Sequence, residues 1–463
     1  MDLNFKGKNV AVIGLGTENI PLIKYLKDAG ANVCGRDMKN SDKLGERYQT
    51  LLNLGIELRL GLGYLEGLTQ YDIVFLTPGI PRSLPELVEA RRKGVRFSSQ
   101  MELFFNICPA TIIGITGSSG KTTTTTLVGN MLSGSGFDTR IGGNIGRVLL
   151  SEVMDMTPRT KVVLELSSFQ LQDMKISPEI ALITNITPNH LDVHKDMHEY
   201  VEAKKQIYLH QTSENAVVFN AEDPLSTGFD KEAPSRVYYF SKRPLPEGLS
   251  GAFIRDGWIV IRDLNAVTKE LLVCSINDIR LLGLHNQENV LAASLVAYLV
   301  GAKIEAIAQA IREFKGVDHR LEYVATIGGV RYYNDSIATS PARAKAGLLS
   351  FSEPVVLIAG GYDKKIPFDE LREAVLQKRP KAVVTVGDTS QKIAEALFGL
   401  APIYHAETFE KAVDTASSLA DPGDCVLLSP ACASFDMFAS YEERGKEFRR
   451  LVLKKAEELN PQS

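Results

Sequence analysis

Apolar residues along this chain fall in short runs that end at glycine or a small polar residue and lead into stretches of helical length. Asn9–Ile13 runs into Gly14-Leu15-Gly16, a helical interval follows over 21–29, and a second apolar run covers 31–34. Residues 74–76 before Thr77-Pro78-Gly79, a helix over 84–93 and a short run at 95–97 continue the rhythm and close a first block near 107. Most of these runs are apolar throughout instead of alternating, which predicts strands buried on both faces, hence a parallel sheet with helices on its faces.

A second block opens with the apolar run 111–115, which feeds a glycine-rich loop and a helix. Residues 162–164 and Ile180–Ile183 read as further buried strands, each ending in polar residues, where α/β sheets carry their active groups. The segment from 211 to about 280, with runs at 237–240 and 258–261, is expected to be an added antiparallel portion. Helices are expected over 290–299 and 304–314, with Gly316-Val317-Asp318-His319-Arg320 as a hinge. The α/β rhythm returns at 355–358 before Gly360-Gly361, at Ala382–Val386, and at Cys425–Leu428 before Ser429-Pro430. The expected organisation is therefore α/β, with domains over 1–107, 108–316 and 317–463.

Composition narrows the function classes. The 463 residues are 44% hydrophobic and 23% charged, which excludes global disorder and suits about three domains. The net charge of −4 gives no general attraction for nucleic acid or an anionic membrane, so neither is expected as a partner. Five scattered cysteines without Cys-x-x-Cys spacing argue against a disulfide framework and a zinc ribbon, and suit a reducing cytoplasm. No secretory leader and no membrane span are expected.

The sharpest chemical signal is Gly114-Ile115-Thr116-Gly117-Ser118-Ser119-Gly120-Lys121-Thr122-Thr123, a G-x-x-x-x-G-K-T loop between a strand and a helix. Its small residues let backbone N–H groups converge on phosphate oxygens, Lys121 adds charge, and the Thr122 hydroxyl can complete a Mg²⁺ shell. ATP or a close nucleotide is the expected ligand. Glu165 lies just past its strand, where it either faces the same crevice or is a solvated strand-end acid. Asn185, Asn189 and His190 follow the next strand, with Asp192, His194 and His198 nearby. Oxygen-ligated Mg²⁺ is favoured over zinc there, and His194 and His198 also fit a surface helix turn. Lys204 and Lys205 read either as a wet helix face or as one lysine drawn toward the metal cluster. Gly14-Leu15-Gly16 with Asp37 is only part of a dinucleotide fingerprint, because Asn19 stands where a third glycine is wanted. A nucleotide-like moiety other than NAD is expected there.

These motifs together resemble the Mur ligase family. The carriers are the loop 116–123, Glu165-Leu166-Ser167-Ser168-Phe169-Gln170, the 184–192 run, Leu284-His285-Asn286, Asp318-His319-Arg320, Asn334-Asp335-Ser336 and the 428–436 run, in the family's order over nearly the whole chain. The resemblance implies a Rossmann-like amino-terminal domain, a central P-loop ATPase-like domain and a Rossmann-like carboxyl-terminal domain. Within the family, the 165–170 and 428–436 runs resemble the members that join D-glutamate to UDP-N-acetylmuramoyl-L-alanine in peptidoglycan synthesis, through an acyl phosphate.

By that resemblance Lys121, Glu165, His190 and Lys204 are catalytic, and Thr122, Glu165, His190 and Lys204 surround Mg²⁺. Lys204 is the lysine expected to be carbamylated, with Lys205 as runner-up. Gly117, Ser118, Ser119, Gly120, Lys121, Thr122, Thr123, Asn286, Arg320 and Asp335 would hold ATP. Leu15, Gly16, Thr17, Asp37, Met38, Thr77 and Asn144 would line the UDP site. Thr339, Lys364, Ser434, Phe435 and Tyr441 would meet D-glutamate. The resembled enzyme would act as a cytoplasmic monomer.

The chain departs from the family pattern in Thr17-Glu18-Asn19, where small residues are common, in Ser119 for asparagine, in Tyr441 for phenylalanine, and in Ile337 where a lysine is usual. Lys345 or Lys365 is the expected substitute for that lysine. Other ligases of the same architecture, folylpolyglutamate synthetase included, and a nucleotide-regulated binding module remain as alternatives. An amide product accompanying phosphate release separates the ligases from the module.

Overall fold

The computed structural model describes residues 3–145, 147–188, 194–226, 228–281 and 283–459. The first sheet contains β1 (Asn9–Ile13), β2 (Asn32–Asp37), β3 (Glu57–Leu60), β4 (Ile73–Leu76) and β5 (Arg96–Ser98) in the order β3-β2-β1-β4-β5. Every pairing in it is parallel. The strand order reverses at β1, so the loops after β1 and β4 flank a crevice at the carboxyl end of the sheet.

The second sheet contains β6 (Thr111–Thr116), β7 (Thr139–Gly143), β8 (Lys161–Glu165), β9 (Ile180–Ile183), β10 (Ala216–Asn220), β11 (Arg236–Ser241), β12 (Gly251–Arg255), β13 (Trp258–Arg262) and β14 (Glu270–Ser275). Its order is β14-β13-β12-β11-β10-β9-β6-β8-β7. Pairing stays parallel from β7 across to β12, and only β12-β13-β14 is antiparallel. The expected antiparallel portion over 211–280 is thus corrected to its last three strands. β10 is buried at all positions, the signature of an interior parallel strand, and it carries the sheet onward through β11.

The third sheet holds β15 (Glu322–Ile327), β16 (Val330–Asn334), β17 (Val355–Gly360), β18 (Ala382–Val386), β19 (Ile403–Ala406) and β20 (Cys425–Leu428) in the order β15-β16-β20-β17-β18-β19. β15 and β16 form an antiparallel hairpin, turned by Gly328 and Gly329, both at positive φ. The other pairings are parallel. Apolar layers cover both faces: Leu357, Val383 and Leu427 point to one, Ile358, Val384 and Leu428 to the other.

The chain folds as two compact units. One is Met1–Ile279 with Gln287–Arg312 and holds the first two sheets; the other is Arg280–Asn286 with Glu313–Ser463 and holds the third. The first two sheets share a unit because one apolar cluster runs through both, from Phe5, Val12 and Phe75 to Leu149, Leu164 and Leu171. Arg82 Nε also meets Asp173 Oδ2 at 2.6 Å across them. No helix among the described residues is long and apolar enough to cross a membrane.

Candidate active site

β6 ends at the switch point of its sheet, between β8 and β9, and the loop Gly117–Gly120 leaves it there to enter the helix Lys121–Gly134. Gly117 and Gly120 both take positive φ. A Cβ on Gly117 would collide with Thr184 Oγ1, and one on Gly120 with Asn289 Oδ1, so both positions need glycine. The loop is braced by β9's polar extension: Ser118 N–H donates to the Asn185 carbonyl at 2.9 Å, Ser119 N–H to Asn185 Oδ1 at 3.0 Å, and Thr184 Oγ1 to the Ser119 carbonyl at 2.6 Å. Ser119 also donates its hydroxyl to Asn185 Oδ1 at 3.1 Å, so serine is accommodated in place of asparagine.

The charged groups gather round this loop. Lys121 Nζ donates back to the Gly117 carbonyl at 2.9 Å. Thr122 Oγ1 donates to Glu165 Oε2 at 2.7 Å, and Asn144 Nδ2 to Glu165 Oε1 at 3.1 Å. Glu165 is therefore a buried carboxylate in the crevice, not a solvated strand end. Thr123 is buried in the first turn of the helix behind the loop.

Lys204 and Lys205 lie on the helix Met197–Leu209, and the structure separates them. Lys204 is 2% exposed and donates from Nζ to the Gly117 carbonyl at 2.9 Å, while its ammonium lies 4.7 Å from the centre of the Tyr200 ring. Burial, then the Lys121 charge, holds Lys204 well below an ordinary lysine, against a smaller pull from Glu165. Burial pulls Lys205 down, but its pairs with Glu232 and Glu202 together outweigh that and raise it. Neither is on a wet face. His194 is also buried, stacked on Phe169 at 4.9 Å with a ring nitrogen 2.9 Å from Ser168 Oγ, whereas His198 is exposed. The surface-turn reading fails for His194 because the helix begins only at Met197. His190, with Asn189 and Asp192, lies outside the described residues.

In the first sheet, Asp37 at the end of β2 accepts from Leu15 N–H at 2.7 Å, an arrangement that fixes the Gly14–Gly16 turn. Asn19 replaces the third glycine by a side-chain bridge, donating to the Gly14 carbonyl at 2.6 Å and to Thr77 Oγ1 at 2.7 Å. Leu15 is buried, with its N–H on Asp37 and its carbonyl accepting from Arg47 Nη1 at 3.2 Å; Thr17 and Met38 are exposed. The Glu18 carboxylate folds over Gly16, in the space a Cβ there would take. Glu18, Thr77, Asn144 and Gln170 help line a cleft of about 300 Å³ between the two sheets of this unit.

The second unit holds the remaining candidates. Asp335, just past β16, is 5% exposed; it accepts from Ser429 Oγ at 2.7 Å and Leu321 N–H at 3.3 Å, and burial pushes its carboxyl up to about 7. Asn286 lies in the first turn of the helix Leu284–Val300. Lys364 follows β17 and donates to the Thr339 carbonyl at 3.4 Å; burial, then Arg343, lowers its ammonium. Ser434 is buried, while Phe435 is exposed and packs edge-on against Tyr362. Tyr441 starts the helix Tyr441–Leu459, its hydroxyl pushed by burial to about 12. Lys345 is ion-paired to Glu370 and Glu373 at 2.7 and 2.6 Å, so it does not substitute for the lysine absent at 337.

A Mur ligase middle domain model matches residues 115–297, a Mur ligase glutamate ligase domain model residues 319–432, and a Mur ligase MurD-like N-terminal domain model residues 8–99. The UDP-N-acetylmuramoylalanine–D-glutamate ligases of Symbiobacterium thermophilum and Clostridium novyi are each 48% identical to this chain, over 96% of it and 98% and 97% of their own lengths. The chain belongs to the Mur ligase family. The solved UDP-N-acetylmuramate–alanine ligase of Thermotoga maritima is similar to this Mur ligase in fold, with a TM-score of 0.57 at 19% identity over 96% of this chain and 99% of that one.

Three side chains outside the sequence motifs support this Mur ligase's loops. Asn289 packs on Gly120 and accepts from Thr124 at 3.4 Å; its place one helical turn beyond Asn286 was the available signal. Tyr200 Oη lies 2.8 Å from Ser118 Oγ. Arg444, buried, donates to carbonyls of Ser336, Cys432 and Ala433, and no local pattern marks it.

Proposed function

We infer that this chain joins D-glutamate to UDP-N-acetylmuramoyl-L-alanine at the expense of ATP, forming an amide in peptidoglycan synthesis. The observation that carries the reading is the meeting of Lys121, the Thr122–Glu165 pair and buried Lys204 at one phosphate loop, in a chain 48% identical along its length to D-glutamate ligases.

ATP fits this loop. The glycines at Gly117 and Gly120 let the loop close against Thr184 and Asn289, the amino terminus of the helix Lys121–Gly134 follows it directly, and Lys121 can swing from the carbonyl it holds to phosphate. Mg²⁺ fits the hydroxyl–carboxylate pair of Thr122 and Glu165, and when bound it supplies positive charge to the phosphoryl oxygens. The reaction begins with attack of the UDP-substrate carboxylate on the γ-phosphorus, forming an acyl phosphate and releasing ADP. The deprotonated amine of D-glutamate then adds to the acyl carbon, and collapse expels phosphate and leaves the amide. Lys121 offsets the repulsion between two anions in the first step, and burial of the site strengthens that charge.

Lys204 is the proposed carbamate. Its burial favours the neutral amine that attacks carbon dioxide, and no carboxylate pairs with it among the described residues. Carbamylation would turn that neutral amine beside Lys121 into an anion able to hold a second metal or orient Lys121. His190 keeps its proposed place at the metal. Ser118, Ser119, Thr123, Asn286, Arg320 and Asp335 are proposed for ATP; Leu15, Gly16, Thr17, Asp37, Met38, Thr77 and Asn144 for the UDP substrate; and Thr339, Lys364, Ser434, Phe435 and Tyr441 for D-glutamate. Residues 1–107, 108–316 and 317–463 divide these three tasks, in a cytoplasmic monomer.

The test is mass-resolved product formation with ATP, Mg²⁺, UDP-N-acetylmuramoyl-L-alanine and a panel of D-glutamate, L-glutamate, L-alanine and meso-diaminopimelate. A D-glutamate-dependent UDP-dipeptide with ADP and phosphate is expected. Product with another amino acid alone would overturn the pocket assignment, and ATP binding without product would overturn the ligase reading.

A further inference from the structure

The Ile337-Ala338-Thr339 stretch past β16 carries no charge of its own, and the loop around it shows what stands nearby. Ile337 N–H donates to the His319 carbonyl at 3.1 Å, which holds the 337–339 stretch in place. The carbonyl of Ile337 accepts from Arg343 Nη1 at 3.3 Å, and the carbonyl of Thr339 accepts from Lys364 Nζ at 3.4 Å. Two long cationic side chains, one from the helix Pro341–Leu348 and one from the loop after β17, thus converge on a single three-residue stretch.

Neither cation has a carboxylate partner among the described residues, whereas others on neighbouring segments do: Lys345 pairs with Glu370 and Glu373, and Lys392 with Asp363. Asp335 lies in the field of Arg343, but it is buried with its oxygens taken by Ser429 and Leu321. Arg343 is exposed, and its single bond to a neutral carbonyl is long for a charged donor. Two uncompensated positive charges beside one loop form a ready site for an anion. A planar guanidinium suits a carboxylate, which it can grip with two parallel N–H donors.

We propose that Arg343 binds one carboxylate of D-glutamate beside Lys364. The assignment rests on the D-glutamate reading above. D-glutamate carries two carboxylates, so Lys364 alone leaves one without a cation from this face of the unit.

Steady-state kinetics of the full chain test it. Arg343→Ala is expected to raise KM for D-glutamate roughly 10- to 100-fold, the worth of one charge-assisted hydrogen bond, with KM for ATP and the melting temperature unchanged. Arg343→Lys is expected to recover part of the loss. An unchanged KM for D-glutamate in Arg343→Ala, or a shift in KM for ATP instead, would overturn the assignment while leaving the ligase reading intact. A wild-type enzyme that makes no D-glutamyl product would overturn both.

Discussion

Asp335 is a carboxyl that the fold prefers to keep neutral, and replacing it by asparagine measures that preference. Burial pushes its pKa from an ordinary 3.8 to about 7, against smaller opposing effects of Ser429, Arg320, the Leu321 N–H and Arg343. A difference of about 3 pH units at about 1.4 kcal/mol each puts the cost of ionising it in the folded chain on the order of 4 kcal/mol. Below pH 3.8 both folded and unfolded chains hold the proton, and the group contributes nothing to the balance. As pH rises from there to about 7 the unfolded chain releases the proton while the folded chain retains it, so the folded state loses stability across that window and stays at its lower level above it. Asp335→Asn removes the titration and keeps both contacts, with its oxygen accepting from Leu321 N–H and its amide donating to Ser429. The variant is expected to be more stable than wild type at pH 8 by roughly 2–4 kcal/mol, part of the gain being lost to weaker hydrogen bonds, with a difference that shrinks toward pH 4.5. Urea unfolding across that pH range, read by amide exchange in peptides covering β16 and β20, follows the correct unit. Parallel pH profiles for the two proteins would show that Asp335 titrates normally and that the burial argument is wrong.

Lys204→Arg cannot form the carbamate and is expected to lower kcat on the order of 100-fold or more. A carbamate signal from ¹³C-bicarbonate that is the same in wild type and variant would contradict the assignment to Lys204. Because the unfolded chain binds the proton that folded Lys204 sheds, this lysine makes stability rise with pH up to its ordinary value of 10.5; Lys204→Met should flatten that component in denaturation curves. Gly117→Ala places a methyl against Thr184 in a loop held at positive φ, so ATP affinity should fall at least about tenfold by calorimetry, and native affinity would refute the cradle. Glu165→Gln can still accept from Asn144 and turn its amide to donate to Thr122 Oγ1 but removes the charge, so the Mg²⁺ concentration for half-maximal rate should rise; an unchanged requirement would take Glu165 away from the metal.

The elements themselves were legible because each is a local pattern. Asn9–Ile13, Ile180–Ile183, Ala382–Val386 and Cys425–Leu428 are strands with the bounds their apolar runs predict, and the phosphate loop stands between the strand and helix its spacing requires. Strand direction was not legible in 211–280: β10 and β11 join the sheet in parallel, since pairing depends on which neighbour buries a strand and not on its composition.

At the site, residue order alone names the chemical groups available: a lysine and a threonine after the loop, an acid at the end of β8, and adjacent lysines on one helix. Folding sends those lysines to different surroundings. A one-residue step turns a helical side chain through about 100 degrees. Lys204 therefore enters the phosphate loop, where burial and Lys121 depress it, while Lys205 reaches Glu202 and Glu232. The same holds for Arg343, six residues past Ile337 in sequence, whose guanidinium the helix turns back onto the Ile337 carbonyl. Residue type and spacing are one-dimensional, but burial and electrostatic fields sum over neighbours that only the folded chain assembles.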